Sequence, residues 1–394
     1  MSLPLYFLVL IPLIHSLTFP LQYYPAKVST TPRLWIKNDL PRLKQVYSDP
    51  NSPGATIFRH EINKLMSYQT ACGDWRCESG WPAAALALAW RLTGDPTYGT
   101  KAISTYIPHF DGVPHIIGRL QSITHYAYAY DWLQGHPNFT SAVKTDLAKK
   151  LVQWSDTQYA GDTTQVSYIA QDSDHLTAGI TSHFISGLAL YGDHPNATIL
   201  MDRGWIGVKV GYNNNSLIPF VSIEDMFNVT KNGHPLPGWD YFWMSDGWDL
   251  QNLLYVLDEL GYVSDLTKNW WPTALISFIH NIDPANTHYR WLGDTQSGVM
   301  LASYSGYIWS GVSNCIYMSE RYGFTTEAAQ GRYFLDHLTQ TPWGIGEGDP
   351  MIFMARGYNL SAPRINYTNP SNAQIPRYLL GGVGVDQKNG LRVL

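Results

Sequence analysis

One kind of stop recurs along this chain, and it limits what the chain can fold into. Stretches with helical spacing of apolar residues end in a glycine followed within three residues by a proline, at Gly94-Asp95-Pro96, Gly135-His136-Pro137 and Gly192-Asp193-His194-Pro195. Glycine ends a helix because it enters the left-handed backbone region without steric cost, and the following proline is suited to opening the next helix. Each stop therefore closes one helix and starts its antiparallel neighbour. Between the stops, apolar residues return every three to four positions, as in Leu176, Ile180, Phe184 and Leu188. This pattern predicts helices over Asp39–Ser48, Ile57–Tyr68, Pro82–Thr93, Tyr98–Ile107, Arg119–Leu133, Ser141–Tyr159 and His175–Tyr191. It predicts further helices over Thr198–Gly211, Asp249–Leu260, Leu266–Ile282, Ser297–Met318 and Thr326–Leu338. The expected fold class is mainly α.

About a dozen helices in antiparallel pairs can close into a ring, an (α/α) toroid, with the loops of one end lining a groove. The texture changes after Gly357, where Pro363, Pro370 and Pro376 precede Arg377–Asp386, which reads as a strand. The expected organisation is a leader over 1–18, a toroid over 19–356, and a linker with the start of a β-region over 357–394.

The leader rests on the apolar run Leu3–Leu17, broken by Pro4 and Pro12, which is short for a membrane span and reads as a signal peptide cleaved near Ser16 to Phe19. It carries no Lys or Arg ahead of the run, so an uncleaved anchor is the alternative. Six Asn-X-Ser/Thr sequons, at Asn138, Asn196, Asn214, Asn228, Asn359 and Asn366, agree with an exported, glycosylated product. In an oxidising compartment Cys72 and Cys77 are close enough in sequence for a local disulfide, leaving Cys315 as a buried thiol. Three cysteines without paired spacing argue against a zinc site, and no cofactor is expected.

A net charge of −5 argues against a nucleic-acid partner, which would call for a basic face, and against a heavily sulfated polymer. The chain is rich in flat amphipathic rings, with 15 Trp and 26 Tyr, which suit stacking on the apolar face of a sugar. Trp75, Trp81 and Trp239 are candidate platforms, with ordinary core packing as the alternative for each. The expected partner is a neutral or lightly charged polysaccharide, with no membrane partner once the leader is removed.

The candidate chemistry centres on Ser173-Asp174-His175-Leu-Thr-Ala-Gly179 at the entrance of a helix. With Thr31-Pro-Arg-Leu34, Leu40-Pro-Arg-Leu-Lys44, Ala127–Leu133 and Gly187–Asp193, this stretch makes the chain resemble the heparinase II/III type of polysaccharide lyase. The resemblance runs from Pro32 to about Val385 and implies the toroid, followed by a β-sandwich of which this chain would hold only the beginning. It leaves a divalent metal open, because some relatives hold one in the β-domain.

The resemblance implies β-elimination on a uronate: abstraction of the C5 proton, stabilisation of the enolate that develops beside the carboxylate, and departure of the C4 oxygen. His175 matches the family histidine, as base or carboxylate ligand, and Asp174 stands where relatives often carry Asn. Gln171 is a substitute donor to the carboxylate. Gly238–Asn252 resembles the family's Glu-Gly-x-x-Tyr region, with Asp246-Gly247 for Glu-Gly and Leu250 at the expected tyrosine. Tyr241 is then the candidate acid/base, Tyr255 lies on the other side, and Trp239, Asp246 and Trp248 are candidate substrate contacts. His288 and Arg290, from His288–Asp294, could bind a carboxylate. The same toroid could instead carry an inverting hydrolase using two of Asp174, Glu224, Asp240, Asp246 and Asp249, a C5 epimerase, or a binding protein with a degenerate site.

Overall fold

The computed structural model describes residues 18–24, 32–34, 36, 39–70, 80–113, 123–164, 174–212, 222–224, 227, 247–262, 265–280, 305–337, 362–366, 383–386 and 390–393. Over residues 53, 161–164, 174–176, 247–248, 265–267, 280, 305–310, 383–386 and 390–393 it describes the backbone alone. Among these residues the protein is mainly helical, as expected. The helices are α1 (Leu40–Ser48), α2 (Pro53–Ser67), α3 (Trp81–Thr93), α4 (Pro96–Lys101), α5 (Thr124–Trp132) and α6 (Ser141–Thr164). They continue as α7 (Asp174–Leu190), α8 (Ala197–Lys209), α9 (Gly247–Glu259), α10 (Asp265–His280), α11 (Ser305–Arg321) and α12 (Thr325–His337).

The stop signals act as their chemistry requires. Gly94 closes α3 at φ +77°, its N–H donating to the Trp90 carbonyl, and Asp95 then caps α4 by accepting the Thr97 N–H at 2.9 Å. Several boundaries differ from expectation: α4 starts at Pro96 and ends at Lys101, where a π-helical turn over Ala102–Tyr106 takes over, and α11 runs on to Arg321. Helix α2 starts at Pro53 rather than Ile57, because Ser52 Oγ accepts the Ala55 N–H at 3.3 Å and the proline fits the first helical position. Helix α6 runs five residues past Tyr159 to Thr164.

The chain divides into two compact units. Unit 1 holds residues up to Pro41, Ile62–Met226 and Asn252–Tyr262. In it, buried and half-exposed helices alternate along the sequence. Helix α5 is buried over its whole length, α7 from Thr177 to Leu190, and α3 at all but Trp90, Arg91 and Thr93. Helices α4, α6 and α8 between and after them keep exposed faces. The buried helices pack on one another in order, α3 on α5 and α5 on α7, while α6 lies against α5 and α7, and α8 against α7.

The contacts also fix direction. At the start of α3, Gly80 abuts the Tyr126 ring near the start of α5; at its end, Arg91 Nε donates to the Trp132 carbonyl at 2.6 Å, where α5 finishes. Helices α3 and α5 are therefore parallel. Helices α5 and α7 are parallel too: the Ile123 N–H donates to Ser182 Oγ at 3.0 Å, and farther along both helices Arg33 joins Asp131 of α5 to the Ala189 carbonyl of α7.

Helix α8 returns antiparallel to α7 in a register set by three glycines. Gly187 faces Met201, Gly204 faces Phe184 and Gly207 faces Ile180. A Cβ at Gly204 would stand 2.5 Å from Phe184 Cβ, and one at Gly207 2.3 Å from Ile180 Cγ1, so only glycine allows this approach.

Unit 2 holds Arg42–Glu61, Phe227–Gln251 and Val263–Leu394. Helices α10, α11 and α12 pack mutually there, with Gly331 of α12 fitted against Ile316 and Leu275. Arg332 is buried, ion-paired with Glu320, and its Nε donates to the Pro363 carbonyl at 2.8 Å, which docks the segment after α12. Two short antiparallel strands, β1 (Val383–Asp386) and β2 (Gly390–Val393), are registered Val383 to Val393.

Candidate functional site

Because α3, α5 and α7 are parallel, their amino termini share one end of unit 1. The level of Ile123 against Ser182 leaves the first eight residues of α7 beyond the start of α5, about 12 Å of helix. Residues 174 and 175 open the first turn of that stretch, which is buried from Thr177 onward. A first turn has backbone N–H groups without intrahelical partners and carries the positive end of the helix dipole, so it favours an anion such as a uronate carboxylate. His175 precedes Ser182 by seven residues, two turns of helix.

The other expected site residues divide clearly. Gln171 belongs to the segment that leads into α7; Trp239, Tyr241 and Asp246 belong to the one that leads into α9, and His288 and Arg290 to the one that leads into α11. All six lie outside the described residues, as do Trp75, Asp240, Cys72 and Cys77. Trp248 is the second residue of α9, described in its backbone only. Leu250, at the position where a tyrosine was expected, is 2% exposed and belongs to the core. Tyr255 is buried, its hydroxyl donating to Asp39 Oδ2 at 3.2 Å, so it serves packing rather than proton transfer.

Two candidates change meaning. Trp81, considered as a stacking platform, is buried at the start of α3 and offers no face to a sugar. Glu224, considered as a hydrolase carboxylate, receives the Lys209 ammonium at 2.5 Å and also the Tyr262 hydroxyl. Lys209 lies in turn 2.5 Å from the Tyr262 oxygen, and its ammonium sits 5.2 Å from the Trp205 ring centre. Burial, which would lower the lysine, is outweighed by these two partners, so it stays charged; Tyr262 is raised by burial and by Glu224. This closed trio lies at the end of α8, and the register of the α7–α8 pair brings it level with Gly179, four residues from His175 and about 6 Å along the axis. Sequence reasoning did not assemble it, because its members come from three segments without a shared motif.

A second polar cluster, equally unforeseen, sits within the packing. Ser155 Oγ is 2.8 Å from His183 Nδ1, Arg203 Nη1 donates to the same oxygen at 3.0 Å and pairs with Asp156 at 2.7 Å, and the Tyr159 ring lies under the guanidinium. His183 is fully buried, and its Nε2 has no hydrogen-bond partner among the described residues. Burial first, then the nearby Arg203 charge, lowers its pKa to about 3. It is a neutral imidazole that ties α6 to α7, and it cannot reach a substrate.

Of the sequons, Asn138 is exposed in the turn after α5, and Asn196 is half-buried in the turn after α7, both at the carboxyl ends of the buried helices, away from His175. Asn366 is half-buried beside α12; Asn214, Asn228 and Asn359 lie outside the described residues. Cys315 is a free, buried thiol raised by that burial, as expected. Among the described residues no group of three or more His, Cys, Asp or Glu is arranged to hold a metal ion, and no helix is long and apolar enough to cross a membrane.

No protein-family model matches this chain, and no curated protein matches it.

Proposed function

We propose that this protein is a secreted polysaccharide lyase that cleaves a lightly charged, uronate-containing glycan by β-elimination, with His175 taking the C5 proton. The observation that carries the reading is the position of residue 175, in the first turn of the buried helix α7. That turn supplies partial positive charge for the substrate carboxylate, whose neutralisation makes the C5 proton removable. Gln171, three residues ahead of the helix, would add a neutral donor, and Asp174 would orient the imidazole or compete with the substrate for the helix end. Tyr241 would give a proton to the leaving C4 oxygen, and Trp239, Trp248, Asp246, His288 and Arg290 would hold neighbouring sugars.

Two further features support the reading. The alternation of buried and half-exposed helices in unit 1, with the buried ones parallel, is what an (α/α) toroid would require locally. Gln171, Asp174 and His175 also adjoin one another in sequence where the chain enters α7. Glu224 is held in an ion pair, which removes one carboxylate from the hydrolase alternative.

The test is to incubate the purified secreted protein with a panel of uronate polymers and to follow the ultraviolet absorbance of the unsaturated uronate. The expected result is product from at least one polymer, reduced by about 100- to 10,000-fold in His175→Ala. Reducing ends without that absorbance would replace the lyase with a hydrolase. Binding without any turnover, unchanged in His175→Ala, would leave a carbohydrate-binding protein.

A further inference from the structure

The described chain begins with a strap, residues 18–24, laid across the α7–α8 pair. Thr18 is exposed, whereas Phe19 is 0% exposed, so the change from solvent to interior falls at the Thr18–Phe19 bond. The Phe19 ring sits edge-on between Phe184 of α7 and Trp205 of α8, with ring centres 5.1 Å from each, and 5.3 Å from Tyr24. Its backbone nitrogen lies 2.7 Å from Asp202 Oδ1, which also accepts the Tyr24 hydroxyl at 3.2 Å. That 2.7 Å separation is the length at which an ammonium meets a carboxylate.

Asp202 is half-buried, and among the described residues no basic side chain pairs with it; both of its donors are neutral. Burial holds its carboxyl above the usual range despite those two donors. A carboxylate withdrawn from water in this way is best compensated by a positive charge. The sequence supplies the means to make one. The apolar run Leu3–Leu17 is followed by small residues at Ser16 and Thr18, the spacing that a leader peptidase reads just before its cut.

We propose that the leader is removed between Thr18 and Phe19, and that the α-ammonium thus created pairs with Asp202 to lock the strap onto α7 and α8. The reaction is hydrolysis by a signal-peptidase-class protease: the Thr18 carbonyl–Phe19 nitrogen bond breaks, water supplies hydroxide to Thr18 and a proton to the nitrogen, and the amine takes a second proton from solvent. The neutral N–H···carboxylate contact becomes an ion pair with no movement of the ring that anchors it. Processing thereby supplies the positive charge that the Asp202 site lacks, and the mature chain is held more tightly than its precursor. This assignment does not depend on any catalytic role for the protein.

The full chain is expressed through a secretory pathway, and the first residue of the exported protein is read by intact mass and terminal sequencing. The amine is then labelled by reductive methylation with ¹³C-formaldehyde and titrated by NMR. The expected result is a chain starting at Phe19 whose amine titrates about one unit or more above the ordinary 7.7–8.0, returning to that range in Asp202→Asn. A variant with one alanine added ahead of Phe19 moves the amine away from the carboxylate; it is expected to titrate normally and to melt a few degrees lower. It serves as the decisive comparison if Asp202→Asn is not exported. A mature chain starting elsewhere, or a Phe19 amine with an ordinary pKa, overturns the proposal.

Discussion

Helix α7 is held in two regions by different physics. Along its length, α8 approaches so closely that Gly187, Gly204 and Gly207 stand where any side chain would collide, and the cohesion is dispersion and apolar burial. At its carboxyl end the cohesion is polar. Asp131 Oδ2 accepts the Arg33 and Leu34 N–H groups at 2.8 and 2.9 Å, while the Arg33 guanidinium donates to the Ala189 carbonyl at 2.6 Å and pairs with Asp193 at 2.9 Å. The seam tolerates no added volume, whereas the clamp tolerates no lost acceptor. Each region also buries one ionisable group, and the two are shifted in opposite senses, His183 down to about 3 and Asp131 up to about 6.

The largest effect is expected at the seam. Gly204→Leu drives a side chain into Phe184 with backbone on both sides, so about 3 kcal/mol or more is lost. The variant should fail to accumulate as folded, exported protein, measured by yield and by circular dichroism. Normal yield and an unchanged melting temperature would mean that the pair separates easily, and the contrast with the clamp would collapse.

Next comes the clamp. Asp131→Ala leaves two buried N–H groups without their acceptor, at a cost of about 2 kcal/mol in chemical denaturation. The sign of the pH dependence follows from burial, which raises the folded carboxyl from 3.8 to about 6. That contribution is fully present below about 3.8 and fades as pH rises through 6. The gap between wild type and Asp131→Ala is therefore expected to be wider at pH 5 than at pH 7.5.

His183 gives the smallest effect and the opposite slope. Its folded pKa is depressed from 6.5 to about 3, so its contribution is present above 6.5 and is lost as pH falls towards 3. The loss is about 1.4 kcal/mol for each pH unit below 6.5. In denaturation curves at pH 7 and 5.5, His183→Gln should lose less stability on acidification than wild type. Equal slopes would show that the imidazole can take up a proton beside Arg203 without cost.

Much of the helical layout was legible in the chain. Glycine and proline act through their own backbone geometry, so Gly94-Asp95-Pro96 announced a helix end and a capped helix start before any contact was known. The runs Ala127–Leu133 and Gly187–Asp193 read as packing motifs, and most of their residues are buried. Of the candidate site, the chain announced that Asp174 and His175 stand at a helix entrance, because a helix entrance is a local signal. The Lys209–Glu224–Tyr262 trio and the Ser155–His183–Arg203 cluster were invisible, since each gathers residues 15 or more positions apart with no common spacing.

Sequence alone determined where helices start and stop, since caps, breakers and apolar period act within a few residues. Tertiary structure decided what each polar side chain is for. It buried Trp81 and Tyr255, paired Glu224 with a lysine, and turned Asp131 from one acidic letter in an aromatic run into the acceptor that ties residues 33 and 34 to α5. The physical reason is that solvation and charge pairing depend on which distant segments arrive at the same place, and that is set by the packing of whole helices.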